Sequence, residues 1–360
     1  MKTARLLLPL ALASATPAMA QTTTTLYGII DAGVNYLSNQ GGHGSWSMDT
    51  GLLSPNLFGL RGSEALGNDL KAVFTLEGQF AADNGASVGP LFGRQAYVGL
   101  SSTSWGTLTL GKQYDFSFDM LGPGRYGPSF PMIGLYNLRL GPFGGLGVPG
   151  MPGGAMDFDG VAGAKRVDNS VKFTSANYGG LTFGALYGFG EQPGSLGQGR
   201  TYSAGVSYAR GPFALTAAIT DARNAAINNG NDGIRTWGLG GRYQLGAAVL
   251  NALYTNTRNT FTGGSVQVAQ VGTTLPVAAS TTLLLDYQYQ WANATLDKAH
   301  AHQASATLGY ALSKRTDAYA ALVYQRAGGA PGATAWIAGL NGPSDGKTQT
   351  MVRLGMRHMF

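Results

Sequence analysis

Polar and apolar residues alternate along most of this chain. In "TLLLDYQYQW", Leu283, Leu285, Tyr287, Tyr289 and Trp291 fall on one face of an extended backbone. Asp286, Gln288 and Gln290 fall on the other, because strand side chains repeat with period 2. Near the start, Leu26, Gly28, Ile30, Ala32, Val34 and Tyr36 oppose Tyr27, Ile29, Asp31, Gly33 and Asn35. In the final "TQTMVRLGMRHMF", Thr350, Val352, Leu354, Met356, His358 and Phe360 oppose Gln349, Met351, Arg353, Gly355 and Arg357. "LKAVFTLEGQF" sets Lys71, Thr75, Glu77 and Gln79 against Ala72, Phe74, Leu76 and Phe80. "SVKFTSA" sets Ser170, Lys172 and Thr174 against Val171 and Phe173. About sixteen such segments of roughly 9–14 residues follow one another, the length a tilted membrane strand needs. They centre near 31, 60, 75, 97, 111, 171, 185, 206, 217, 240, 253, 268, 286, 307, 321 and 354.

The connections sort by length. Short turns sit at "EALGND", "STSWG", "ANYGG", "ARGP", "QLGA" and "LSKRT". Longer loops occupy 38–54, 82–91, 115–165, 191–200, 222–233, 259–264, 293–301 and 327–347. A soluble sandwich has no reason to alternate short and long connections, whereas an outer-membrane barrel has short turns on one rim and long loops on the other. The expected fold is therefore all-β, a 16-stranded antiparallel transmembrane barrel. Strand-end aromatics, among them Tyr36, Tyr97, Tyr208, Tyr254, Trp291, Tyr310, Tyr324 and Phe360, suit its interfacial girdles.

The N-terminus and the composition sharpen the picture. Residues 1–20 read as a cleavable signal peptide: Lys2 and Arg5, a short apolar core, then Ala18-Met19-Ala20. The barrel domain is then 21–360. No later stretch reaches the run of about 18 apolar residues that a membrane helix needs. Charged residues make up only 12% of the chain and cysteine is absent, so closure of the barrel has to supply what disulfides would. Without the leader, 22 basic residues stand against 18 acidic ones. They are scattered singly, which argues against a nucleic-acid face.

Residues 115–165 form the longest loop. It carries Asp115, Asp119, Asp157 and Asp159 among Phe, Met, Leu and Tyr, including Tyr126, Phe130 and Tyr136. A long loop with apolar residues to pack and carboxylates to place is a candidate plug or constriction.

The stretches "TLYGIIDAGV", "FGLRGSEALGNDLKAVFTLE", "FGRQAYVGLSSTSWGTLTLGKQYD", "RVDNSVKFTS", "GALYGFGE", "LSKRTDAYAALVYQ" and "VRLGMRHMF" together resemble the general trimeric porins of Gram-negative bacteria, of the β-proteobacterial type. The resemblance implies a homotrimer of 16-stranded barrels in the outer membrane. It implies passive diffusion of small hydrophilic solutes, a third outer loop folded into the lumen, and wall arginines facing acids on that loop. It also implies a terminal aromatic, Phe360, read by the barrel assembly machinery, and surroundings of lipid and lipopolysaccharide. Carried over by position, Arg94 and Arg166 match wall arginines, and Arg61 and Lys112 match basic positions nearby. Lys71, Glu77, Asp115, Asp119, Asp157 and Arg353 complete the expected pore-lining set. Leu57 stands where relatives usually carry an arginine. Strict alternation puts Arg94 with Ala96, Val98 and Leu100, so a bulge at that strand end is expected.

The expected function is a water-filled diffusion channel with weak anion preference, needing no cofactor. One alternative is a channel specific for a sugar or phosphate, although lumen-parity aromatics are few: Tyr27, Tyr97 and Tyr319. Another is a barrel hydrolase using Ser87 of "GASVG", which lacks the strand–turn–helix context of that motif. "GTLTLGKQ" lacks the hydroxyl residue of a P-loop after Lys112. His300 and His302, near Asp297, could meet on one strand face, but no cluster supports a metal.

Overall fold

A computed structural model describes residues 22–122 and 139–360. Residues 1–20, expected to be a signal peptide, and Tyr126, Phe130 and Tyr136 lie outside the described residues. The first strands are β1 (Thr22–Gln40), β2 (His43–Thr50), β3 (Leu57–Gly67), β4 (Leu70–Gln79), β5 (Gln95–Ser102) and β6 (Gly106–Gln113). Then come β7 (Val167–Ser175), β8 (Leu181–Gly188), β9 (Thr201–Arg210), β10 (Phe213–Arg223), β11 (Gly233–Leu245) and β12 (Ala248–Asn259). The last are β13 (Ser265–Ala278), β14 (Thr281–Ala292), β15 (His300–Ala311), β16 (Thr316–Gly328) and β17 (Thr348–Met359).

From β3 onward each strand pairs antiparallel with the next in sequence, and the sheet closes where Ile29–Leu37 of β1 meet Met351–Met359 of β17. On its other edge β1 pairs first with β3 and farther along with β2. These two are halves of one wall strand, so the barrel has sixteen. All sixteen predicted segments lie within strands. The expected loop 38–54 differs: much of it is strand, with β1 running on to Gln40 and β2 returning beside it through the turn at Gly41 and Gly42. Two-residue turns join β9 to β10 and β11 to β12, with glycines at φ 58° (Gly211, Gly246), a left-handed conformation that L residues resist.

Alternation divides the wall as anticipated. Leu215, Leu239, Val271, Leu285, Leu322 and Leu354 are exposed on the outside, where lipid covers them. Inward positions are polar except where the inward loops pack, as at Leu186, Leu253, Val266 and Val268. A row of buried glutamines (Gln270, Gln288, Gln290, Gln303, Gln325 and Gln349) runs across β13–β17. Tyr36, Tyr208, Tyr310, Tyr324 and Phe360 face outward as girdle residues. Tyr97 does not: its hydroxyl accepts from Thr75 inside (3.0 Å), as its parity with Gln95 and Gly99 requires.

Two loops use this interior. The described parts of the third loop (114–122 and 139–166) pack on the inner wall. Phe116, Met120 and Leu121 join Leu186, Ala218 and Leu253 in one cluster, and Leu140, Phe143, Leu146 and Phe158 join Val266, Val268 and Ala301 in another. Gly205 is needed under the first: a Cβ there would stand 2.6 Å from Met120 Cγ. The last loop (329–347) also folds inward, burying Ala335, Ile337 and Ala338. Gln325 accepts from the Trp336 amide (2.7 Å) and Gln349 from that of Ile337 (2.7 Å). Trp336 O in turn accepts from Gly141 N of the third loop (3.0 Å), which links the two loops.

Candidate functional site: the charged strip of the pore wall

A continuous polar chain runs along β1, β3–β5 and β7 to the root of the third loop. Arg61, exposed and inward, stands over the Tyr27 ring with its guanidinium carbon 5.1 Å from the centroid. The Tyr27 hydroxyl donates to one oxygen of Glu77 (2.9 Å). The other Glu77 oxygen takes Arg94 Nε at 2.6 Å, and Arg94 also donates to Gln79 (2.8 Å) and to the Tyr114 hydroxyl. Arg166 reaches the same hydroxyl (3.0 Å) and lies over the Tyr114 ring (5.0 Å). Lys172 donates to Tyr114 O (2.7 Å) and pairs with the Asp119 carboxylate.

Tyr114 is thus the hub on which Arg94, Arg166 and Lys172 converge. Nothing in the alternation signals it, because it is the first loop residue after β6. Lys172, by contrast, was legible as an inward position of "SVKFTSA". Burial pulls the Arg166 pKa down, and its Nε is buried without a hydrogen-bond partner. Of the cations around Tyr114, Arg94 and Lys172 are paired with Glu77 and Asp119, and Arg166 is in no ion pair among the described residues.

The remaining candidates go elsewhere. Arg94 reaches the lumen without a bulge, since the β4–β5 register runs unbroken from Leu70 to Glu77. The strand begins only at Gln95, so Arg94 lies beyond the alternation and turns inward. The bulge falls instead between Gly111 and Gln113, where Gly111 takes φ 133°. Beside it Lys112 shares the outward parity of Leu108 and Leu110 and pairs with the exposed Asp168, away from the loop acids. Lys71 is exposed at the short-turn end of β4.

Arg353 is fully buried. It bonds the Tyr319 hydroxyl (2.7 Å), Asn35 (2.8 Å) and Asp49 O (3.1 Å), with Asp31 3.6 Å away. Asp31 in turn accepts from the Leu53 and Ser54 amides (2.8 and 3.0 Å), which fastens 51–56 to the inside of the barrel seam. Leu57, 6% exposed, lies on the inner face beside that segment.

Most loop carboxylates serve the loop. Asp115 accepts from the Phe118 amide (3.1 Å) and from Thr220 (2.7 Å), and burial in this packing pushes its carboxyl up. Asp157 accepts from the Ala162 and Ala164 amides (3.0 and 2.7 Å); burial first, then neighbouring Asp159, raise it to about 7. Asp159 pairs with Arg139 at 3.1 Å, both side chains fully buried. Only Asp119 meets the wall strip.

Ser87 is exposed and donates to Gly89 O (2.9 Å), an ordinary turn contact. His300 and His302 do meet, with ring centroids 6.0 Å apart, on the outside of the barrel. Among the described residues no three His, Cys, Asp or Glu side chains gather as for a metal ion.

A family model described as Gram-negative porin matches residues 7–330. An outer membrane porin of Delftia acidovorans is 30% identical over 361 residues, covering 97% of both chains. An outer membrane porin of Bordetella pertussis is 32% identical over 291 residues, 72% of this chain and 70% of that one. Among solved structures, an anion-selective porin from Comamonas acidovorans superposes with a TM-score of 0.77 at 25% identity, covering 94% of this chain and all of that one. With a sixteen-stranded barrel that is apolar outside and polar inside, these likenesses lead to one conclusion: this chain belongs to the Gram-negative porins of the bacterial outer membrane.

Proposed function

We propose that the protein is a general diffusion channel for small hydrophilic solutes and ions, with a weak preference for anions. The observation that carries the preference is the charge balance of the strip. Arg61, Arg94, Arg166 and Lys172 stand against Glu77 and Asp119, and both carboxylates are already engaged by cations. The other loop acids are occupied by backbone amides, hydroxyls and Arg139, so they oppose the strip weakly. Basic linings favour anions. Leu57 in place of a further arginine is consistent with a weak preference rather than a strong one. The anion-selective Comamonas relative supports the sign.

The activity is passage rather than catalysis. Assembly as a homotrimer, insertion by the barrel assembly machinery through a signal at Phe360, and contact with lipopolysaccharide complete this reading; they rest on family resemblance. The test is reconstitution in a planar bilayer with the reversal potential read under a KCl gradient. Conductance steps in threes with an anion-side potential are expected. A cation-side potential would overturn the preference, and a folded barrel with no conductance would overturn the channel.

A further inference from the structure

The third loop rejoins the wall through Lys165 and Arg166, immediately before β7. Lys165 lines a cavity of about 300 Å³ between that loop and the inner faces of β9, β10 and β11. Val148, Pro149 and Phe158 of the loop and Ile234 of β11 give the cavity an apolar side, and Arg166 and Arg223 give it a basic one.

Lys165 has no counter-charge of its own. Asp115, Asp157 and Asp159 line the same cavity, but their oxygens are taken by backbone amides, Thr220 and Arg139. Lys165 makes no hydrogen bond or ion pair among the described residues. Lys172, by contrast, is held by Asp119, and Lys112 by Asp168. An amine with protein around it and no acid to hold its proton gives that proton up more readily than one in water. Burial pulls Lys165 down to about 8, and Asp157 opposes this only in part. Roughly a tenth of it is then free amine at pH 7, against about one part in three thousand for an ordinary lysine. The free amine is the nucleophilic form.

The surroundings decide which electrophile suits it. An aldehyde would give a neutral imine, for which the basic side of the cavity has no use. Carbon dioxide gives a carboxylate. Arg166 Nε is buried without a hydrogen-bond partner. Arg223 spends Nη1 on Gly197 O (2.8 Å) and is in no ion pair among the described residues. Guanidinium donors of this kind stabilise a carboxylate formed on a neighbouring side chain.

We propose that Lys165 is a carbamylation site, at which carbon dioxide reverses the charge at the root of the third loop. The amine lone pair of Lys165 forms the new bond to the carbon of carbon dioxide. One C=O electron pair moves onto oxygen, and the nitrogen passes a proton to water, leaving an N-carboxylate. Relative to the ammonium form, one positive charge becomes one negative charge beside Arg166. The carbamate therefore opposes the basic strip and lowers its preference for anions. The site goes beyond the channel reading, and its chemistry does not depend on the sign of the selectivity.

The test equilibrates the refolded full-length porin with bicarbonate and dissolved carbon dioxide near neutral pH. A trialkyloxonium salt then traps the carbamate as its ester, and peptide mass spectrometry locates it. The Lys165 peptide should carry on the order of tenfold more label than the peptide of ion-paired Lys172. Lys165→Arg keeps the charge and should abolish the label. In planar bilayers at constant pH and ionic strength, carbon dioxide should move the wild-type reversal potential toward the cation side and leave Lys165→Arg unmoved. The label is read on the folded barrel whether or not it conducts, which separates failure of the site from failure of the channel reading. A folded wild type with no label on Lys165 would overturn the proposal, as would equal label on Lys172. An equal response to carbon dioxide in Lys165→Arg would overturn it too.

Discussion

At the residue scale, the strip works by sharing few acceptors among many donors. Arg94 and Glu77 are both nearly buried, so removing one leaves the other without its counter-charge. For a buried pair that costs about 3–5 kcal/mol locally. Arg94→Ala should therefore both weaken the root of the third loop and move the reversal potential toward the cation side. Lys172→Met should make the same shift without exposing a buried acid, since Asp119 is 31% exposed. A change of about twofold in the permeability ratio is expected, because a charge screened over about 8 Å still acts across a narrow lumen.

Asp157 makes a pH prediction. Its carboxyl is raised, so the folded loop holds it neutral while the unfolded chain ionises above about pH 4. Loop packing is thus firmest in acid and weakens as pH rises from about 4 to about 7. Open-channel current noise should increase over that range in the wild type and stay flat in Asp157→Asn. A variant with the wild-type slope would locate the titration elsewhere.

Among the elements, the two inward loops act as a pair. Trp336 is fixed through its backbone by Gln325, its indole donates to Leu340 O (3.1 Å), and its ring lies against Gly153 of the third loop. Trp336→Ala should remove up to about 3 kcal/mol of docking, given partial burial. The expected result is larger and noisier single-channel current with the barrel's thermal stability nearly unchanged. An unaltered trace would mean that the third loop holds its place without the last. Gly205→Leu is the complementary change: the added side chain meets Met120 and Phe116 and should push the short helical turn Ser117–Leu121 from the wall.

For the whole molecule, closure is the decisive step. Gly28 and Phe360 exchange backbone hydrogen bonds of 3.1 Å in both directions, and the Phe360 ring covers Gly28 so closely that a Cβ there would stand 2.3 Å away. In lipid every strand edge must be paired. Gly28→Val should therefore lower the yield of heat-modifiable barrel in refolding into detergent. Phe360→Ala should leave the folded barrel's melting nearly intact but slow its assembly in cells, if the terminal aromatic is the recognised signal.

What sequence alone determined was everything governed by period-2 alternation. That covers sixteen wall strands, the in–out sense of Glu77, Lys172 and Arg353, and the outward aromatics, because a membrane barrel imposes one solvent on each face. Lys112, expected in the pore from the resemblance, lies outward instead, on the face it shares with Leu108 and Leu110. Tertiary structure decided what lies beyond the alternation. Arg94 sits one residue outside its strand and Tyr114 one residue past the next, so no periodicity constrains either side chain. Asp115, Asp157 and Asp159 looked alike in sequence to Asp119, and only the loop's packing separates three structural carboxylates from the one that faces the wall. The strand at 43–50 is short and bounded by Gly41, Gly42 and Gly51, so the alternation of Trp46 and Met48 with polar residues spans too few positions to stand out from a loop. The cavity that Lys165, Arg166 and Arg223 share forms between the third loop and three later strands, so the docking of that loop, which no local pattern encodes, brought it together.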